Sequence, residues 1–206
     1  MIDLTKELIV YFYTTASEKK GYGHLIRQSL ISKKLKKKNI KNFLLLDDVP
    51  INFVKKNKLF KLSKFYISDL LAQRKKSDNL LIIIDRYDLS LNIQKKIEIK
   101  KIRTITYDNI DAINSKFIIS DIIININPII KKKDYKIRSL NKKTKIFTGL
   151  KYALVKKNKF KNLKKKYHFL IILGGGNNNK ILKKIIYAFE NNFKNKKILI
   201  VLGYTN

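Results

Sequence analysis

The run Gly21-Tyr22-Gly23-His24-Leu25-Ile26-Arg27 carries the most usable chemistry in this chain. His24 is one of only 2 histidines, and a neutral imidazole is a competent general base near pH 7. The whole chain has 7 glycines, and 5 of them gather at Gly21, Gly23 and Gly174 to Gly176. Glycine is needed where the backbone takes positive φ or lies close to a ligand, so both stretches are candidate binding loops. Further polar groups stand at the ends of apolar runs: Asp85 and Tyr87 in IDRY, Asp108 and Asn109 in TYDN, and Asn127 in NINP. Free N–H groups of the Gly174-Gly175-Gly176-Asn177 loop, at the start of a helix, suit a phosphate. Two such strand–loop–helix units facing across a cleft would suit a nucleotide-sugar enzyme. Each of these groups also has a plain structural reading. Asp85 could cap a loop, Tyr87 could be a half-buried tyrosine, Asp108-Asn109 could form a turn, and His168 reads as structural.

The elements that must hold these groups follow from the apolar pattern. Residues 7–13 (ELIVYFY) read as a buried strand, and the leucines and isoleucines from Leu25 to Leu35 recur at helical spacing. His24 then stands at the helix start, after a strand-to-helix loop. Further strands are predicted at 42–46, 80–84, 104–107, 121–125 and 146–147, with a short one at 59–62. Helices are predicted through Lys55, over 65–76 and over 92–100. Strands without polar alternation, separated by helices, imply a mostly parallel sheet covered on both faces. The expected fold is therefore α/β and Rossmann-like over residues 1–150. A basic connector is expected at 151–166. A second Rossmann-like unit begins at Tyr167: a strand, the glycine loop, a helix near 180–191 and a strand at 198–202. A second unit of two strands and one helix is expected to leave sheet faces open, to hold nucleotide weakly and to give no turnover by itself.

Composition narrows the partners. The net charge of +32 suggests nucleic acid, but nearly all of it is lysine; only Arg27, Arg74, Arg86, Arg103 and Arg138 are arginine. The joint excess of lysine, isoleucine and asparagine is that of an A/T-rich coding sequence, so a solvated lysine surface is expected and no specific nucleic-acid partner. Cysteine is absent, which removes disulfides and thiolate metal sites. No spacing of His, Asp and Glu suits a metal, and the proposed chemistry needs no cofactor. There is no apolar run of about 20 residues that could span a bilayer and no leader pattern, so a cytoplasmic location is expected.

The order of these motifs resembles the UDP-sugar hydrolases of pseudaminic acid biosynthesis, relatives of the two-domain GT-B-fold glycosyltransferases. The resembling stretches are GYGHLIRQSLISKKL (21–35), LIIIDRYDLS (81–90), TITYDN (104–109), SDIIININP (120–128) with Lys133-Asp134-Tyr135, GLKYALVKKNKF (149–160) and KKYHFLIILGGGNN (165–178). The resemblance implies release of UDP from a UDP-diacetamido-trideoxy-hexose. It implies His24 as the residue that activates water, with Asp85 and Tyr87 as its catalytic companions. Gly21, Gly23, Arg27, Asp108, Asn127, Tyr152, Gly175, Gly176 and Asn177 are implied as substrate-binding positions. The chain departs from the family at Asn109, where a second acid is usual, and at Gly176-Asn177, where Ser or Thr followed by Asp is frequent. The rest of the family's second domain has no counterpart here, so a second chain completing it, or a split or inactive form, enters as a reading. A GT-B-type glycosyltransferase and a basic nucleic-acid binder are the competing functions.

Overall fold

The computed structural model describes residues 7–17, 20–75, 78–86, 88–108, 117–135, 138–155, 166–173 and 179–201. The chain divides into two compact units: Met1–Thr15 with His24–Val155, and Ala16–Gly23 with Lys156–Asn206.

The first unit is a Rossmann-like α/β fold. Its strands are β1 (Ile9–Thr14), β2 (Lys41–Leu44), β3 (Leu80–Asp85), β4 (Arg103–Tyr107), β5 (Ile122–Asn125) and β6 (Lys145–Thr148). They form a 6-stranded sheet in the order β2-β1-β3-β4-β5-β6, with every pair parallel. The helices are α1 (Gly23–Lys37), α2 (Ile51–Lys56), α3 (Ile67–Gln73) and α4 (Leu91–Ile99). β1 and β3 are apolar runs buried nearly throughout, as central strands of a parallel sheet must be. On one face, Tyr11, Tyr13, Ile82 and Ile84 pack in one core with Leu70 and Leu71 of α3 and Ile97 of α4. α1 buries Leu25 together with the small polar residues Ser29 and Ser32, and the Ser32 hydroxyl donates to Asn42 Oδ1 of β2 at 2.6 Å. The predicted short strand at 59–62 is a single bridge between Leu44 and Leu62.

Helix ends correct one expectation about glycine. α1, α2 and α4 each close with a left-handed residue that is not glycine: Asn39 (φ 56°), Lys58 (φ 48°) and Lys101 (φ 53°). Each makes the paired bonds of a Schellman cap. For α4, Lys101 N–H donates to Glu98 O and Ile102 N–H to Ile97 O. An apolar residue follows each cap, and its N–H donates to the carbonyl of an apolar residue in the last turn: Ile40 to Leu35, Leu59 to Val54, Ile102 to Ile97. Glycine scarcity has therefore not reserved glycine for positive φ. Asn39, Lys58 and Lys101 carry the strain at these helix ends, held by the two backbone bonds.

The second unit contains β7 (Phe169–Ile172), α5 (Asn179–Asn192) and β8 (Ile198–Val201). β7 and β8 pair in parallel, with Leu170 opposite Leu199 and Ile172 opposite Val201. Phe169 packs against Phe189 and Phe193 of the α5 region at ring-centroid distances of 4.9 and 5.0 Å. Leu170, Ile172, Leu199 and Val201 lie on the opposite face and are exposed. His168 accepts through Nδ1 from Lys197 N–H, joining the two strand starts.

Candidate functional site

β1 is followed by β2 on one side and lies beside β3 on the other, so the strand order reverses at the β1/β3 pair. In open parallel sheets ligands bind outside the carboxyl ends of the strands at such a point. Thr14 ends β1 and Asp85 ends β3, in register with each other. The Thr14 hydroxyl donates to the Asp85 carbonyl at 2.9 Å, which ties the two strand ends together.

The helix after β1 supplies the rest. His24, Arg27 and Gln28 stand at i, i+3 and i+4 of α1 and therefore share one face. That face meets the Asp85 carboxylate, which is 0% exposed. Oδ1 takes His24 Nδ1 at 2.7 Å and Arg27 Nη2 at 2.5 Å. Oδ2 takes Arg27 Nε at 3.0 Å and Gln28 Nε2 at 2.6 Å. Arg27 thus grips the carboxylate through both oxygens, the strongest geometry for such a pair. Its guanidinium charge offsets the carboxylate charge in a place that water does not reach.

The ring proton of His24 can be assigned from this arrangement. An ionised carboxylate only accepts, so Nδ1 carries hydrogen and donates to Oδ1. Arg27 Nη2 also lies 3.0 Å from Nδ1, but with Nδ1 protonated this is two donors converging on one oxygen. The other tautomer would set a bare Nδ1 lone pair 2.7 Å from a carboxylate oxygen, which is repulsive. Nε2 is then the basic nitrogen. A buried carboxylate fixing one ring nitrogen so that the other takes up a proton is the logic of a catalytic dyad.

Tyr107, at the end of β4, has its ring 5.8 Å from the Arg27 guanidinium. Burial raises its pKa, the Asp85 charge adds to this and Arg27 opposes it, so the phenol stays protonated at neutral pH. A second buried network stands at the carboxyl ends of β4 and β5. The Tyr135 hydroxyl donates to Asp108 Oδ2 at 2.5 Å and accepts from Asn125 Nδ2 at 2.8 Å, and Arg138 Nη1 donates to Asp108 at 3.1 Å. Burial and the Asp108 charge push the Tyr135 pKa well up.

The expected site residues distribute as follows. His24, Asp85 and Arg27 come together, and Arg27 is bonded to the carboxylate. Gly21 has φ 77°, and its N–H donates to Ser17 O at 2.7 Å, so its glycine identity has a backbone reason. Gly23 opens α1 without a positive φ, and a Cβ there would meet nothing within 4 Å. Asp108 belongs to the Tyr135 network. Asn127 accepts from Ile129 N–H through its side-chain oxygen, shaping the turn after β5. Tyr152 is half-buried in a short 3-10 turn and packs on Phe147 at 5.4 Å. Tyr87, Asn109, Gly175, Gly176 and Asn177 lie outside the described residues. Gln28 and Thr14 were not singled out from the sequence. For Gln28 the signal was its i+4 spacing from His24. Among the described residues no group of three His, Asp or Glu is arranged to hold a metal ion, and no helix is long and apolar enough to cross a membrane.

No protein-family model matches the chain, and no curated protein matches it.

Proposed function

We propose that the His24 site belongs to a sugar-nucleotide hydrolase that releases UDP from a UDP-diacetamido-trideoxy-hexose, with no turnover expected from this chain by itself. His24 Nε2 takes a proton from a water, and that water attacks the anomeric carbon as the bond to the pyrophosphate oxygen breaks. Asp85 holds the imidazole through Nδ1 and steadies the imidazolium that forms. Arg27 and Gln28 hold Asp85. The UDP leaves as an anion; the expectation that the 174–176 glycine loop receives it falls on residues outside the described ones. The observation that carries the reading is the 2.7 Å contact of His24 Nδ1 with a fully buried carboxylate at the switch point of the sheet. The substrate class rests on the order of the sequence motifs.

The test separates docking from turnover. Titration of the chain with excess UDP-sugar is expected to shift the ring resonances of His24. Saturating sugar nucleotide that leaves them unmoved would overturn the proposal. Where turnover is measured, UDP and free sugar are expected in water alone, and His24→Asn should lower the rate by about 10²- to 10⁴-fold, the range for loss of a general base. UDP formed only when an acceptor sugar is present would make the enzyme a transferase built on the same base.

A further inference from the structure

A pocket of about 530 Å³ opens at the amino edge of the first unit's sheet, where β1 and β3 begin. Strands of 6 residues are about 20 Å long, so this pocket lies a strand's length from His24. Ile9, Leu70, Leu80 and Phe65 give it an apolar floor, and Tyr11 and Arg74 also line it. Its volume falls within the range of roughly 300–1,000 Å³ found for small-molecule sites.

One buried polar atom on this lining lacks a partner, and a second donor on it makes no hydrogen bond to a described residue. Tyr11 is only 8% exposed, and its hydroxyl has no hydrogen bond to any described residue. Arg74 Nε is buried without a partner, and the Arg74 guanidinium forms no ion pair among the described residues. Buried polar groups are nearly always hydrogen-bonded, and exceptions call for an explanation. Here Arg74 Nε and the Tyr11 phenol line one pocket that also carries Glu7, Gln73, Asp78 and Asn79.

We propose that the pocket binds a small organic monocarboxylate with a compact apolar body. The carboxylate pairs with Arg74 and accepts from the Tyr11 hydroxyl, while the body lies on Phe65, Leu70 and Leu80. Burial raises the Tyr11 pKa and the nearby Asp78 charge adds to it, so the phenol remains a donor. Two acids on the lining set the valence. Glu7 is offset by Lys41 at 2.8 Å, and Asp78 accepts from Lys75 N–H at 2.7 Å. Their remaining charge opposes a dianion such as a phosphate monoester.

The experiment is an amide-resonance NMR titration of the whole chain with phenylacetate, and separately with inorganic phosphate. Phenylacetate is expected to give saturable shifts at Gln73, Asn79 and Leu80, with phosphate at least tenfold weaker. Arg74→Gln should weaken phenylacetate binding by tenfold or more, as loss of a charged hydrogen bond implies. Tyr11→Phe should weaken it less, and Arg74→Lys should keep part of the affinity. The shift of the His24 ring resonances by UDP-sugar should be unchanged in all three variants. Equal binding by Arg74→Gln with a native-like spectrum, phosphate binding as tightly as phenylacetate, or no saturable shift at the pocket would each overturn the proposal. If Arg74→Gln does not fold, the Tyr11→Phe and Arg74→Lys affinities decide: both equal to the wild type would overturn it.

Discussion

Replacing Asp85 by Asn isolates what its charge does. The carboxylate accepts from His24, from both Arg27 nitrogens and from Gln28. An Asn with its oxygen at the Oδ1 position keeps the bonds from His24 Nδ1 and Arg27 Nη2. Its NH₂ then faces Gln28, whose Oε1 has no hydrogen-bond partner. Turning the Gln28 amide over lets Oε1 accept from the new NH₂, so much of the hydrogen bonding is repaired. What cannot be repaired is Arg27: its Nε–H now faces the new NH₂, and its charge, on a side chain 16% exposed, has lost its counter-charge. Breaking a buried pair by removing one partner costs about 3–5 kcal/mol. The repaired bonds and the partial exposure of Arg27 argue for the lower end, about 3 kcal/mol. For a unit of this size that is a fall in Tm of about 10 °C, at roughly 2–4 °C per kcal/mol. Adding Arg27→Gln removes the stranded charge, so the double variant should be about 2 kcal/mol more stable than the sum of the single effects. Urea unfolding followed by circular dichroism on the four proteins measures both quantities. An Asp85→Asn cost below about 1 kcal/mol, or single effects that add within about 0.5 kcal/mol, would refute the view that Asp85 and Arg27 act as one buried pair.

Lys58→Gly and Lys101→Gly should each stabilise the chain by about 1 kcal/mol, because a side chain at positive φ in the left-handed region costs about that much; thermal melts check this. At high pH the sign follows from the tyrosines. Burial raises the Tyr13 pKa to about 12 and pushes Tyr107 and Tyr135 upward. Folded values above the unfolded value of about 10 mean stability that is complete below pH 10 and is lost as pH rises through the folded values. Tyr13→Phe should flatten that fall, read as unfolding free energy against pH. In the second unit, amides of Leu170 and Leu199 should exchange at least roughly 100-fold faster than those of Ile82 and Ile83, since one face of their sheet is bare and local opening is easy there. Equal protection would mean that something covers that face.

The alternation of apolar strands with helices was legible because each central strand of a parallel sheet is buried on both faces. β1 and β3 are written as unbroken apolar runs for that reason. The place of His24 at a helix start was equally local, since a strand, a glycine loop and a helical pattern follow one another within one stretch of chain. Element ends were less legible. The stretch 59–62 has the composition of a strand but makes one bridge, and three helices end on Asn or Lys where glycine would be expected. Backbone cap bonds hold those ends, and they are not written in the residue at the cap.

Partnership between distant residues was decided only by the folded chain. Asp85 and His24 are 61 positions apart, and nothing local to IDRY says that its carboxylate points toward α1 rather than toward α3 and α4. The pleat and the register with Thr14 decide that, sending Asp85 to one face and Arg86 to the other, where Arg86 stacks on Tyr13. Arg27 shows the same limit. The family resemblance implied it as a substrate-binding position. In the folded protein its guanidinium is held by Asp85, because a carboxylate buried at the end of β3 needs a counter-charge and α1 brings Arg27 within reach of it. Helical spacing made Arg27 and Gln28 neighbours of His24; only the packing of α1 against the end of β3 made them its support.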